Sequence, residues 1–197
     1  MISSIAELVK KLKEINKSKS LCCILTKNTS NKNNENKVEQ EVHKFLIENG
    51  VVETSGSLKP NSFIFQPNGT QKSPDFSVMD ISGLSMDIEV KSGKTMMFNS
   101  GIPNPNYFYM LEYIDGTAYR GYGNEIFDPL VFEVMPTLRK EFDEHNDDAL
   151  TRITNKGLFT PAQIAFIKSS GLILYPRAMT PGIQSNNIMW MKNTPGV

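Results

Sequence analysis

Between residues 75 and 91 apolar and polar side chains alternate in two runs separated by a short turn. In residues 85–91, Met86, Ile88 and Val90 interleave with Asp87, Glu89 and Lys91, the period of a strand with one apolar and one polar face. Residues 75–81 repeat the habit in Phe76 and Val78, and Ser82, Gly83 and Leu84 are few enough to turn the chain back as a hairpin. With those three as the loop, Ile81 faces Ser85, Ser77 faces Glu89 and Asp75 faces Lys91. Asp75, Glu89 and Lys91 then gather on one face, and Phe76, Val78, Ile88 and Val90 take the other. A slip of one residue would undo this arrangement.

The same kind of reading predicts elements on either side. Residues 2–15 carry Ile2, Ile5, Leu8, Val9, Leu12 and Ile15 at three- and four-residue spacing, an amphipathic helix that packs on the domain edge or on a partner subunit. The apolar run 21–25, with Cys22 and Cys23, reads as a buried strand, and the Asn-, Ser- and Lys-rich stretch 28–36 as a mobile loop. Val38, Val42, Phe45 and Leu46 signal a helix over 36–49 that closes at Asn49 and Gly50; His43 falls on its outer part. Strands are expected at 63–66, 107–114, 130–134 and 172–175, a flexible turn at 119–123, and an acidic helix over 139–149. Thr160, Pro161 and Gln163 have the form of a capping box opening a helix to about residue 170. Residues 177–197, with Arg177, Gln184, Asn186, Asn187 and Trp190, show little periodicity and suit a recognition arm, a dimer-facing extension or a disordered tail.

At 197 residues the chain is long enough for one domain with a sizeable core, here placed at about 36–135, with extensions at both ends. The 21 basic and 21 acidic residues balance, so no global positive field advertises nucleic acid, yet basic residues clustered along a groove would escape such a count. Two adjacent cysteines give no disulfide framework and point to a reducing, cytoplasmic setting. No apolar run approaches the roughly twenty residues that span a bilayer, and charges interrupt the first fifteen positions where a secretory signal would be apolar. Zinc is disfavoured because His and Cys are not clustered at ligand spacing. With His43 and His145 the only histidines, neither beside a recognisable nucleophile, a serine or cysteine triad is disfavoured too. Ser-Gly-Lys-Thr at 92–95 is not a phosphate-binding loop, since Ile88 stands where the upstream glycine is required.

Pro74-Asp75, thirteen intervening residues, then Glu89-Val90-Lys91 resembles the PD-(D/E)xK nuclease signature, most closely as it occurs in type II restriction endonucleases. The triplet is short. Its context is more specific, because it ends an alternating strand and Pro74 opens the strand before it, where a missing N–H costs little. The resemblance implies an α/β fold with a restriction-endonuclease-like core, a central mixed β-sheet flanked by helices. It implies a magnesium (Mg2+) ion held by Asp75, Glu89 and the backbone carbonyl of Val90, with Lys91 orienting or deprotonating the attacking water, and products with 5′-phosphate and 3′-hydroxyl ends. A glutamate on the first core helix often reaches such sites; Glu39, followed by Val42, Leu46 and Gly50, fits the family's spacing and Glu41 does not.

The activity expected is magnesium-dependent, sequence-specific cleavage of double-stranded DNA by a homodimer, because the chain beyond Lys91 is irregular and rich in Asn, Gln, Arg and Tyr. Candidate DNA contacts are Lys94, Asn99, Asn104, Asn106, Arg120 and Arg177, although Asn in a loop is most often turn chemistry. A structure-specific nuclease such as a Holliday-junction resolvase, or a non-catalytic DNA-binding module, are the alternatives.

Overall fold

The computed structural model describes residues 2–16, 19–27, 35–69, 73–93, 96–98, 103–157, 160–163, 165 and 178–180. Three helices come first, α1 (Ile5–Glu14), α2 (Leu21–Lys27) and α3 (Glu35–Glu48). The strands β1 (Val52–Glu53), β2 (Ser62–Phe65), β3 (Phe76–Met79), β4 (Ser85–Gly93), β6 (Phe108–Tyr113) and β7 (Ala118–Tyr122) form one six-stranded sheet in the order β1-β2-β3-β4-β6-β7. The sheet is mixed: β1 runs parallel to β2 and β4 to β6, while the other neighbours are antiparallel. A separate two-stranded ribbon pairs β5 (Met96–Phe98) with β8 (Ala178–Thr180). Two further helices, α4 (Gly123–Ile126) and α5 (Pro129–Asn155), follow β7. The chain is therefore an α/β protein with a mixed sheet packed against helices.

Alternation along the strands builds the core. Phe63, Phe76, Val78, Met86, Ile88, Val90, Phe108 and Met110 bury one sheet face beneath α1 and α3, where they meet Leu8, Leu12, Val38, Val42 and Leu46. The α1 stripe falls at helical spacing as expected, but the helix opens at Ile5, because Ser4 is extended and its hydroxyl accepts the Glu7 N–H. Helix α3 ends as expected beside Gly50, whose φ of 79° suits the left-handed stop after a helix. On the opposite sheet face a smaller cluster joins Tyr109, Leu111 and Tyr113 to Ile126 and Phe127.

Three expected elements are corrected. Residues 21–25 form helix α2, not a strand: the Ser20 hydroxyl accepts the Cys23 N–H, and the Glu112 carboxylate accepts the Leu21 N–H at 2.7 Å, so the helix start is capped from outside the segment. Residues 130–134 open α5, because the Asp128 carboxylate caps Leu130 and Pro129 occupies the first turn. Residues 119–123 are not a flexible turn; they fall mostly in β7, paired with β6. The strand expected at 172–175 lies outside the described residues, as do residues 28–34 of the loop expected at 28–36, whose last two residues instead open α3. Thr160 and Gln163 do form the reciprocal capping bonds. Among the described residues no helix is long and apolar enough to cross a membrane.

Arg120 is also corrected, from a DNA contact to a buried structural cation. Its side chain is 6% exposed and lies beside Glu112, which is 0% exposed. Arg120 Nε donates to Glu112 Oε1 at 2.6 Å and Nη2 to Oε2 at 3.1 Å, while Nη1 donates to the Ile15 carbonyl at the end of α1. With the Leu21 N–H on the same carboxylate, this group ties α1, α2, β6 and β7 together. Replacing Glu112 by Gln strands a buried guanidinium, so Glu112→Gln should cost about 3–5 kcal/mol in urea denaturation. Lys13→Ala, which breaks the exposed Lys13–Glu125 pair, should cost at most about 1 kcal/mol. Equal losses in the two variants would remove the special role of the buried pair.

Candidate active site

The β3–β4 hairpin turns through residues 80–84, not through three. Asp80 donates its N–H to the Leu84 carbonyl at 2.9 Å, and its carboxylate accepts from the Leu84 N–H at 3.0 Å, from the Ser82 hydroxyl at 2.7 Å and from the Ile5 N–H at 2.9 Å. Gly83, at φ 88°, supplies the left-handed residue. The resulting register pairs Met79 with Ser85, Ser77 with Asp87 and Phe76 with Ile88. It lies two residues from the expected one, so every side chain keeps its face. The correction is to the neighbours: continued by one step, the register sets Asp75 beside Glu89, and Lys91 lies beyond them.

The three groups make one connected site. Asp75 Oδ2 accepts the Val90 N–H at 2.7 Å, which fixes the aspartate against β4. Glu89 is 2% exposed; its Oε1 accepts from the Ser73 hydroxyl at 2.9 Å and forms an ion pair with the Lys91 ammonium. Glu89 Oε2 is buried and has no hydrogen-bond partner. An orphaned carboxylate oxygen in the interior is costly and marks a position kept for something other than stability. Burial, and then the negative charge of Glu89, push the Asp75 carboxyl up from 3.8 to about 7. The Lys91 charge and the Val90 N–H oppose this shift, and Glu39 on α3 adds to it. The α3 glutamate whose charge bears on Asp75 is thus the one singled out by spacing.

Among the described residues no three His, Cys, Asp or Glu side chains form a ready-made metal cage. Two desolvated carboxylates, one with an unsatisfied oxygen, nevertheless fit a hard cation that takes one or two carboxylates and keeps its remaining positions for water and phosphate. The residues present therefore fit magnesium. Val90, named as a carbonyl ligand, sits between Glu89 and Lys91 with its side chain in the core.

The structure places the remaining candidates unequally. Lys94, Asn99 and Arg177 lie outside the described residues. Asn104 works as a turn residue: its N–H donates to the Tyr109 hydroxyl at 2.7 Å, and its Oδ1 accepts the Asn106 N–H at 2.9 Å. Asn106 itself is exposed. His43, expected at the surface, is half-buried, with Nε2 3.1 Å from Glu53 and its ring edge-on to Phe63. Four further groups share the site face, of which only Ser77 was expected there, opposite Glu89. Ser73 holds Glu89, Ser77 is hydrogen-bonded to Asp87, and Tyr109 pairs in register with Glu89. The fourth is Tyr107, two residues before Tyr109. The alternation of Asp87 with Glu89 and of Tyr107 with Tyr109 was a usable signal for the last two.

Comparison with protein-family models, with curated proteins and with solved structures finds no match.

The Asp75 environment predicts a pH dependence of stability. Between pH 4 and 7 the folded chain retains a proton that the unfolded chain has released, so this group's stabilising contribution is complete below 3.8 and is lost as pH rises through about 7. Asp75→Asn removes the dependence and should be the more stable form at pH 8, by up to about 4 kcal/mol at 1.4 kcal/mol per pH unit. Magnesium should restore the native chain at pH 8 and leave the variant unchanged. Parallel stability–pH curves for the two proteins, measured by urea denaturation, would sink this assignment.

Proposed function

We propose that the protein is a magnesium-dependent, sequence-specific double-strand DNA endonuclease resembling the type II restriction enzymes, with a restriction-endonuclease-like core, acting in the cytoplasm as a homodimer. The observation that carries the reading is the convergence of Asp75, Glu89 and Lys91 on one sheet face with Glu89 Oε2 buried and unsatisfied. The mixed sheet with the site hairpin near its centre supports the same reading.

The chemistry follows from the groups in place. A water oxygen attacks phosphorus, the P–O3′ bond breaks, and a proton reaches the departing O3′, leaving a 5′-phosphate and a 3′-hydroxyl. Asp75, Glu89 and the Val90 carbonyl would hold magnesium, which when bound offsets charge on the phosphate oxygens and acidifies nearby water. Ser73 and the Val90 N–H set the orientation of Glu89 and Asp75. Lys91, 18% exposed, is near enough to solvent to orient the attacking water or, once its own proton has passed to solvent, to take one from it. Glu39, on the helix that covers the other sheet face, bears on Asp75 through its charge and is the candidate for a further carboxylate. Asn106 remains a candidate base contact, whereas Arg120 and Asn104 are committed to the fold.

Digestion of a large mixed-sequence DNA with magnesium, followed by sequencing of the ends, tests the activity. Discrete sites support the proposal, junction-only cleavage indicates a resolvase, and no cleavage by folded protein indicates a binding module. Two outcomes are expected on a duplex carrying the sites so defined. Duplex affinity should be poor without divalent metal, because the acidic groups repel the phosphate, and calcium should restore binding with little cleavage. Equal affinity with and without calcium would contradict this. Lys91→Ala should bind in calcium nearly as the native chain does while its single-turnover rate falls by about two orders of magnitude or more. Arginine at position 91 should not substitute, since its guanidinium stays protonated. Near-normal cleavage by Lys91→Ala would remove the lysine from the mechanism.

A further inference from the structure

The site face extends one strand beyond the acidic pair. Parallel pairing sets Glu89 beside Tyr109 and Lys91 beside Leu111, and the same register continued by one step sets Tyr107 beside Asp87. Three rows therefore cross β3, β4 and β6 on this face. Ser77, Asp87 and Tyr107 form one, Asp75, Glu89 and Tyr109 the next, and Lys91 with Leu111 the last. Tyr109 is 2% exposed, its ring stands edge-on to Phe127 and its hydroxyl accepts the Asn104 N–H, so it is committed to the fold. Tyr107 is half-buried and stands in the row next to the acidic pair, beside Asp87, whereas half-buried Tyr119 lies a strand further away on β7.

Its position is held from several sides. The Tyr107 N–H donates to the Asn104 carbonyl at 3.3 Å, and its carbonyl accepts the Gly123 N–H at 2.9 Å. Gly123 is required for this approach: a Cβ there would stand 2.3 Å from the Asn104 carbonyl oxygen. The Asn104 side chain, whose Oδ1 accepts the Asn106 N–H, is among the groups that bear on the Tyr107 phenol. Burial first, and then the charges of Asp87 and Glu89, keep the phenol from ionising, so it remains a donor across the working pH range.

A hydroxyl donor set among carboxylates complements a phosphate that arrives with its own counter-cation. We infer that Tyr107 is a substrate-binding residue of this site, its hydroxyl donating to a non-bridging oxygen of the DNA phosphate beside the cleaved bond. This rests on the proposed endonuclease reading and assigns one wall of that site.

The test compares Tyr107→Phe with Tyr122→Phe, which loses the same atom from a half-buried tyrosine packed on Phe108, on the opposite face. Binding of a fixed mixed-sequence duplex is measured in calcium, with melting temperature and magnesium-dependent cleavage alongside. Tyr107→Phe should weaken duplex binding roughly ten- to hundredfold, the range for a lost hydrogen bond to a charged group, and melt as the native chain does. In cleavage KM should rise by a similar factor with kcat within about threefold. Tyr122→Phe should bind as the native chain does. Unchanged duplex affinity in Tyr107→Phe, or an equal loss in Tyr122→Phe, overturns the inference. A native chain that binds duplex without cleaving it defeats the endonuclease reading alone, and the affinity ratio still decides Tyr107; one that binds no duplex in calcium or magnesium defeats both.

Discussion

Strand β4 is covered on both faces, and that constraint shapes the molecule. Met86, Ile88 and Val90 enter the main core, so Asp87, Glu89 and Lys91 have to share the other face. On an ordinary solvated face they would be unremarkable. Here Glu89 is 2% exposed, and a carboxylate taken from water must be compensated or it becomes a liability. Lys91 and Ser73 compensate one oxygen and leave the other orphaned. The cost is visible next door, where Asp75 is held near pH 7 by burial and by the negative charge of Glu89.

A second buried carboxylate shows what a purely structural solution looks like in the same sheet. Glu112 lies one strand away and on the opposite face, fully buried. Both of its oxygens are engaged: one by Arg120, the other by Arg120 and the Leu21 N–H. Nothing is left for a ligand. Burial alone therefore does not distinguish Glu89 from Glu112; the unsatisfied oxygen does, together with a neighbour, Asp75, whose carboxyl is raised to about 7.

Much of this was legible before the structure, because it depends on period. The stripes of α1 and α3, the alternation of β4 and the facial grouping of Asp75, Glu89 and Lys91 all follow from spacing. The hairpin loop was misjudged by two residues, since the Asp80 carboxylate closes a wider turn and bonds to Ile5, 75 positions away in sequence. An even error preserves every face, which is why the site survived it. Short apolar runs fared worse. Residues 21–25 and 130–134 have no period that separates a buried strand from a helix, and what decides the first is a cap from Glu112, invisible in the local sequence. The second carried a readable sign in Asp128-Pro129, a cap followed by proline in the first turn. Arg120 illustrates the converse limit, because composition marks an arginine among tyrosines and cannot show that it is buried against an acid.

The position of the site within its face explains why its groups differ so much in environment. Where β6 meets α4 and the start of α5, Tyr109, Leu111, Tyr113, Ile126 and Phe127 close over the sheet. Toward β3, Asp75, Ser77 and Asp87 are only half-covered. Glu89 stands at the border, beside buried Tyr109 on one side and Asp75 on the other. A step of this kind gives a low-dielectric wall on one flank and access for a polar ligand on the other, and electrostatic interactions strengthen near such a wall. Placing both acids farther toward the open edge would leave them hydrated and unperturbed. Placing them under α4 would make them unreachable. The arrangement found holds Glu89 dehydrated and Lys91 partly exposed within a single strand, two residues apart.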